Sequence, residues 1–459
     1  MKTTKRIVSI DLIRGLAIIG MILCANIGFN SGLPAWMFHA QTPPPTYAFN
    51  PNIAGLTWVD LVFPFFLFPM GAAFPLAMRK RIDRGQSKRS LALMLVKRWA
   101  ILSVFALVLG NAYSIWSTNR SIYEIGVFQV AVWLGLFLSL VRLDKIKQSL
   151  ARTINISGIV LLAVLGIIMH KHFDVAISKS SDVIIMILAN VALFGGLIWI
   201  VTKDNIRLRW LIFLFIASIK AVSSYAPEAL KFIPNIDSIS WLFKYDYLQY
   251  LLIAIPGSIV GDRILSYTKS DEKPPLGKND LVAAIVVILA VLIQLWGLQT
   301  RQVLVDWMFT LILGFNFIFI TWKSKNIWVQ TANIGFILLL IGIALDPVDG
   351  GITKDYCNLS YLFTTCGMAC LTTAFLLFLE LKYEIKGKII AGVGQNPMIA
   401  YTITTFLIGP ILALTGLLGL LDNLSLGSPF WGLFRGVSIT ILMVVLTFIF
   451  TKLKLFWRS

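Results

Sequence analysis

The sequence predicts an all-α protein, a polytopic transmembrane helix bundle of about twelve to fourteen spans with the N- and C-termini both on the cytoplasmic side. Three observations carry this. Of the 459 residues, 58% are hydrophobic and only 14% charged, and the mean hydropathy is +0.82, whereas ordinary globular domains carry about 25% charged residues. The apolar residues form long continuous runs without the alternation of a barrel strand, so helices rather than strands cross the bilayer. The cations are unevenly placed: about three-quarters of the 40 Lys and Arg fall in loops that share one side if the N-terminus is inside. A row of soluble domains is excluded.

Runs of about 20 apolar residues begin near Val8, Trp58, Trp99, Gly126, Ile154, Asp182, Trp210, Tyr247, Leu281, Val303, Ile327, Tyr361, Gly394 and Trp431. Those near Trp210 and Val303 are short and carry Lys220 and Asp306. The inside set of cations includes Lys2, Lys5 and Arg6, the cluster Arg79, Lys80, Arg81 and Arg98, and Lys452, Lys454 and Arg458. The formal charge of +18 would suggest nucleic acid in a soluble protein. Spread over one side of a membrane it sets topology instead, and no nucleic-acid partner is expected. Asp11 and Arg14 break the first apolar run, so it reads as a retained helix rather than a cleaved signal. The polar segment 264–279 reads as a cytoplasmic linker between an N-terminal bundle (1–263) and a C-terminal one (280–459). The bilayer of a bacterial inner membrane is the expected location.

Charged groups within spans are costly and are functional candidates. Asp11 and Arg14 stand three apart on one helix face, where they pair or direct the guanidinium at an anion entering from the cytoplasm. Asp60 opens the second span, where a carboxylate caps free N–H groups or orients an imidazole. His170 and His172 sit at an interface. His39 lies in the apolar loop Leu33–Gln41, which is expected to fold back into the outer mouth of the bundle. Cys24, Cys366 and Cys370 fall in spans and Cys357 in an outside loop. The spacing offers no disulfide framework and no metal site.

The segments Ser9-x-Asp11-x-x-Arg14-Gly15 and Gly55-Leu56-Thr57-x-x-Asp60-Leu61-Val62-Phe63-Pro64, followed by Met70-Gly71 and with His39 between them, resemble the heparan-α-glucosaminide N-acetyltransferase family. Gly126-Val127-Phe128-Gln129, the stretch from Thr353-Lys354 to Thr365, and Gly394-x-Asn396 with Tyr401 are further similarities. The specific part, residues 8–80, lies in the N-terminal bundle, and residues 190 to 345 have no counterpart. Val130 replaces an Arg of the family pattern, Ala25 stands where an Asn aligns with Asn26 beside it, and an insertion with Pro43, Pro44 and Pro45 follows His39.

The resemblance implies a transmembrane acyltransferase that moves an acetyl group from cytoplasmic acetyl-CoA to an amino sugar or other glycan on the outer face. It places catalytic weight on His39, with Asp60 and Asn26 beside it. A histidine titrating near pH 6.5 suits removal of the amine proton. Asn26, Gln41 or Asn396 would donate to the oxyanion, and Gln41, Lys354 and Asn396 would bind the acceptor. Arg14, Arg79, Lys80, Arg81 and Arg98 are the expected contacts for the polyanionic CoA. Direct transfer and an acetyl-histidine intermediate both stay open, as does a homodimer. The rival reading is a polytopic transporter or lipid-linked sugar flippase without acyl transfer.

Overall fold

The computed structural model describes residues 7–234, 236–271 and 273–457. Lys2, Lys5, Arg6 and Arg458 lie outside the described residues. The chain is an all-α integral membrane protein with many spans. The first helices are α1 (Ser9–Asn26), α2 (Trp58–Ile82), α3 (Lys88–Tyr113), α4 (Ile122–Leu140), α5 (Gln148–Lys171) and α6 (Val183–Thr202). They are followed by α7 (Ile206–Tyr225), α8 (Leu251–Lys269), α9 (Asp280–Gln299), α10 (Val303–Thr321), α11 (Ile327–Leu345) and α12 (Leu359–Tyr383). The last part is more broken: α13 (Lys388–Gln395), α14 (Pro397–Ile403), α15 (Gly409–Leu414), α16 (Leu417–Ser425) and α17 (Pro429–Lys452). A π-helical turn, Thr404–Ile408, joins α14 to α15, and the joined stretch Pro397–Leu414 is apolar and long enough to span.

Thirteen helices in the described residues have the length and apolarity to cross a membrane, and α7 is not among them. Its contacts nonetheless carry it from one end of the bundle to the other. At its start, Asp204 accepts from Arg79 at the end of α2 (3.1 Å). At its far end, Tyr225 bonds Asp349, and Lys220 donates to the carbonyl of Tyr356 (3.4 Å), both in the loop between α11 and α12. One of the charges that count against α7 as a span, Arg209, is neutralised. Arg209 is fully buried and donates to Asp262 Oδ2 (2.6 Å), Thr202 Oγ1 (2.9 Å) and the Thr202 carbonyl (3.1 Å). Leu211, Leu214, Phe215 and Ile219 remain exposed, as a lipid-facing surface requires. Counting α7 restores an even number of crossings.

The first and last described residues lie at the cation-rich end. The backbone N–H groups of Val8 and Ser9 donate to Glu380 near the end of α12. Val141–Arg142 after α4 pairs antiparallel with Phe456–Trp457 after α17. The core runs without a break across residues 264–279, because α12 packs on α1, α2 and α8, and α1 also packs on α13 and α17. The expected division into two bundles is therefore not a division of packing.

Close backbone approach sets the α1–α13 contact. A Cβ on Gly394 would lie 2.0 Å from the Asp11 carbonyl oxygen, and one on Gly15 would lie 2.1 Å from that of Ile390. Small residues allow such contacts in membranes, where lipid supplies no hydrophobic drive between helices. Gly394→Val is expected to cost about 1–3 kcal/mol, read as a lowered midpoint of thermal unfolding in detergent. An unchanged midpoint would contradict this contact.

Candidate functional site

The outer end is organised around the start of α2. Thr57 is the N-cap residue and Asp60 stands three positions on, completing a capping box. Asp60 Oδ2 accepts from the Thr57 N–H (2.9 Å) and from the Ala40 N–H in the first outer loop (3.3 Å). The Thr57 hydroxyl donates to the Phe38 carbonyl (2.8 Å), which pins that loop from its other side. The sequence left two roles open for Asp60, and its two oxygens divide them. Oδ1 is fully buried without a hydrogen-bond partner and faces His39 Nε2 at 3.3 Å and Lys354 Nζ at 3.7 Å. A buried carboxylate oxygen with no bonded donor is costly.

The loop before α12 brings the other half of the cluster. Arg301 clamps Asp346 through two bonds of 2.9 and 2.8 Å, and Asp346 Oδ1 accepts from the Ile352 N–H (2.7 Å). Asn358 caps α12 through Tyr361 N–H (3.2 Å) and donates back to the Gly351 carbonyl (2.8 Å). Gly351 has φ +108°, a conformation that side chains rarely adopt. This turn holds Lys354 beside Asp60 and sets Asp355 Oδ2 at 3.6 Å from His39 Nε2. Tyr361 closes the arrangement from below, its hydroxyl donating to the Asp60 carbonyl (2.9 Å).

His39 is half-buried, and desolvation pushes its imidazole below the ordinary 6.5. Asp60 pulls the other way, Lys354 reinforces the lowering and Asp355 opposes it. The neutral form therefore holds at pH 7, and the ring charges only as pH falls below 6.5. The Gln41 N–H donates to Nδ1 (3.0 Å), which also favours a ring without a proton there. Gln41 itself braces the loop, donating from Nε2 to the Ile53 carbonyl (2.6 Å).

His39, Asp60, Gln41 and Lys354 are thus brought together as the sequence suggests. One expected member is not. Asn396 sits toward the cation-rich end, donating to the Leu455 carbonyl (2.8 Å), at the opposite end of the bundle from His39. Asn26 donates one amide N–H to the Ile22 carbonyl of its own helix (2.8 Å). Asp355 was missed. Its only signal was an acid next to Lys354, in a stretch where Lys354 alone was singled out. Cys24, assigned to apolar filling, lies within electrostatic reach of Lys354 and Asp60. Among the described residues no group of three or more His, Cys, Asp or Glu is arranged to hold a metal ion.

A second feature lies deeper. A cavity of about 220 Å³ between α1, α2, α3, α6 and α14 is lined by Arg14, Met21, Met70, Arg98, Met398 and Tyr401 among others. Arg14 donates to the carbonyls of Gly394 (3.2 Å) and Pro69 (3.4 Å) and stands 3.7 Å from Asp11. Arg98 is close enough to be repelled by Arg14, and its buried Nε has no hydrogen-bond partner. Two guanidiniums facing one intramembrane cavity leave a cationic site suited to an anion. Arg79 instead bonds Asp204 (3.1 Å), and Lys80 and Arg81 are exposed at the end of α2. Arg14 and Arg98 are thus the expected anion contacts that share a cavity.

Residues 6–264 match a family described as a domain of unknown function, DUF5009, and the chain belongs to that family. No curated protein matches it. The match holds His39, Asp60, Arg14 and Arg98 and ends where the polar segment begins, while Lys354 and Asp355 lie beyond it.

Asp60→Asn keeps an acceptor for the helix cap and removes the carboxylate charge that raises His39 basicity. The His39 pKa should fall further below 6.5, followed as an NMR titration of the imidazole in nanodiscs. A rise would show that Asp60 does not act on His39.

Proposed function

We propose that this DUF5009 member is a transmembrane acyltransferase that takes an acetyl group from acetyl-CoA at the cation-rich, cytoplasmic end and delivers it to an amino sugar or other glycan amine at the outer end. A bacterial inner membrane is its proposed location. The observation that supports this reading best is the pairing of two polar sites within one bundle: a neutral His39 between carboxylates outside, and the Arg14–Arg98 cavity inside.

The chemistry follows from the residues. Acyl transfer from a thioester needs an amine in its neutral form, a proton acceptor beside it and a donor for the oxyanion. The His39–Asp60–Asp355 cluster supplies both acceptor and donor groups. Asp60 Oδ1, which accepts no hydrogen bond, and the half-exposed Asp355 favour an acceptor that carries N–H or O–H groups. On the other side the guanidiniums of Arg14 and Arg98 suit the phosphates or carbonyls of the CoA arm, and the flexible methionine walls accommodate its apolar parts. Arg14 and Cys24 are ten residues apart on α1, about 15 Å at 1.5 Å per residue. An extended thioester arm therefore has to cover about half of a hydrocarbon core of about 30 Å.

The test uses purified chain in lipid bilayers, labelled acetyl-CoA and a panel of amino sugars. Wild type should form the acetylated sugar, and His39→Ala should lower kcat by about 100-fold or more. Arg98→Gln should raise the KM for acetyl-CoA with little change in kcat, since it removes binding rather than chemistry. Absence of transfer to every amine, or solute uptake without CoA dependence, would sink the reading.

A further inference from the structure

We propose that Asp355 is the catalytic base of this reaction and that His39 serves as a hydrogen-bond donor through Nε2. The proposal rests on the acyltransferase reading above and assigns the proton within it.

The argument begins with the tautomer of His39. Its Nδ1 accepts the Gln41 N–H at 3.0 Å, and this is not a loose contact. Gln41 is fully buried, its side chain is bonded to Ile53, its carbonyl accepts from Asn50 N–H (2.8 Å), and Thr42 N–H closes a turn on the His39 carbonyl (2.9 Å). With Nδ1 occupied as an acceptor, a neutral ring carries its proton on Nε2. Nε2 faces two carboxylate oxygens, Asp60 Oδ1 at 3.3 Å and Asp355 Oδ2 at 3.6 Å. Neither contact is a hydrogen bond, but both carboxylates are negative and so favour a proton on the nitrogen nearest to them. Neither ring nitrogen then has a lone pair left for a substrate proton.

The two carboxylates are not equivalent. Asp60 is completely buried and bound to the α2 cap and the outer loop. The Asp355 side chain is 30% exposed, at the open side of the cluster. The other charged group facing the ring is Lys354, which stands against Asp60 and partly balances it. Asp355 is therefore the carboxylate that an incoming amine meets and that exchanges protons with water.

The step balances as follows. The lone pair of the neutral acceptor amine attacks the thioester carbonyl carbon, forming the C–N bond. The C=O π pair moves to oxygen, which accepts from His39 Nε2–H. The proton on the attacking nitrogen passes to Asp355 Oδ2. Collapse of the intermediate returns the oxygen pair, breaks the C–S bond and releases CoA thiolate. The proton leaves Asp355 through water to the thiolate, and the products are an amide and a thiol.

Two measurements on the full chain in bilayers test this. In transfer assays Asp355→Asn should lower kcat by about 10²–10⁴-fold and Asp355→Glu should recover part of it. His39→Gln, which retains an N–H donor, should stay within about tenfold of wild type, well above His39→Ala. In nitrogen NMR of wild type, His39 should show protonated Nε2 and bare Nδ1, assigned by loss of the signal in His39→Gln. Near-normal kcat in folded Asp355→Asn, or His39→Gln as inactive as His39→Ala, would overturn the assignment. So would protonated Nδ1. If wild type transfers no acyl group to any amine, the acyltransferase reading falls and takes this step with it. A wrong tautomer in an active enzyme sinks only the proton assignment.

Discussion

A single buried carboxylate holds the outer half of this protein together. Asp60 brings a charge to the start of a membrane helix, where burial without partners would cost several kcal/mol. One oxygen is satisfied by the Thr57 N–H at its own helix terminus, which also carries a favourable dipole. The same oxygen reaches the Ala40 N–H, and the residue's carbonyl accepts from Tyr361, 301 positions away in sequence. The first outer loop, α2 and α12 are fixed to one another through this residue. The other oxygen is left without a hydrogen-bonded donor, facing His39 and Lys354. The fold satisfies one side of the carboxylate by hydrogen bonds and leaves the other against two basic side chains.

The bilayer imposes the remaining order. Lipid offers no partner for a charge, so each charged residue in a span is paired, placed near an end, or turned into a cavity. Arg209 follows the first course, with its guanidinium wrapped by Asp262, Thr202 and Ser258. Arg98 follows the third, its Nε unpartnered beside the cavity it shares with Arg14. The contrast separates structural cations from candidate binding groups by environment, although both belong to the same residue type.

Much of this was legible from composition and pattern. The spans follow from apolar runs, and orientation of an imidazole was one of the two roles that the sequence left open for Asp60. α7 was also readable as a helix, but its charge hid its role. Hydropathy counts Arg209 as a cost, whereas Asp262 and Thr202 cancel that cost only once α6 and α8 are packed against it. Asp355 was illegible for a similar reason. Nothing local separates a carboxylate that meets an imidazole across the fold from one that faces water. Asn396 misled in the opposite sense: its polar side chain is spent on the carbonyl of Leu455, a chain-end contact that no spacing announces.

The placement of the two polar sites constrains how they can act together. One helix borders both, since α1 carries Arg14 near its start and Cys24, within electrostatic reach of Lys354 and Asp60, near its end. That helix is held at its inner end by glycine contacts with α13, so close that a methyl group would not fit. A rigid α1 cannot bring the anion site to the imidazole by bending. If the sites cooperate, the substrate must bridge them, with its charged part held by arginine and its reactive carbon lying at the outer cluster. A small uncharged solute moving through the bundle would need neither the paired guanidiniums nor a neutral histidine fixed between carboxylates. Under the proposed reading an elongated anionic donor would use both, and that is the reason for proposing group transfer rather than passage.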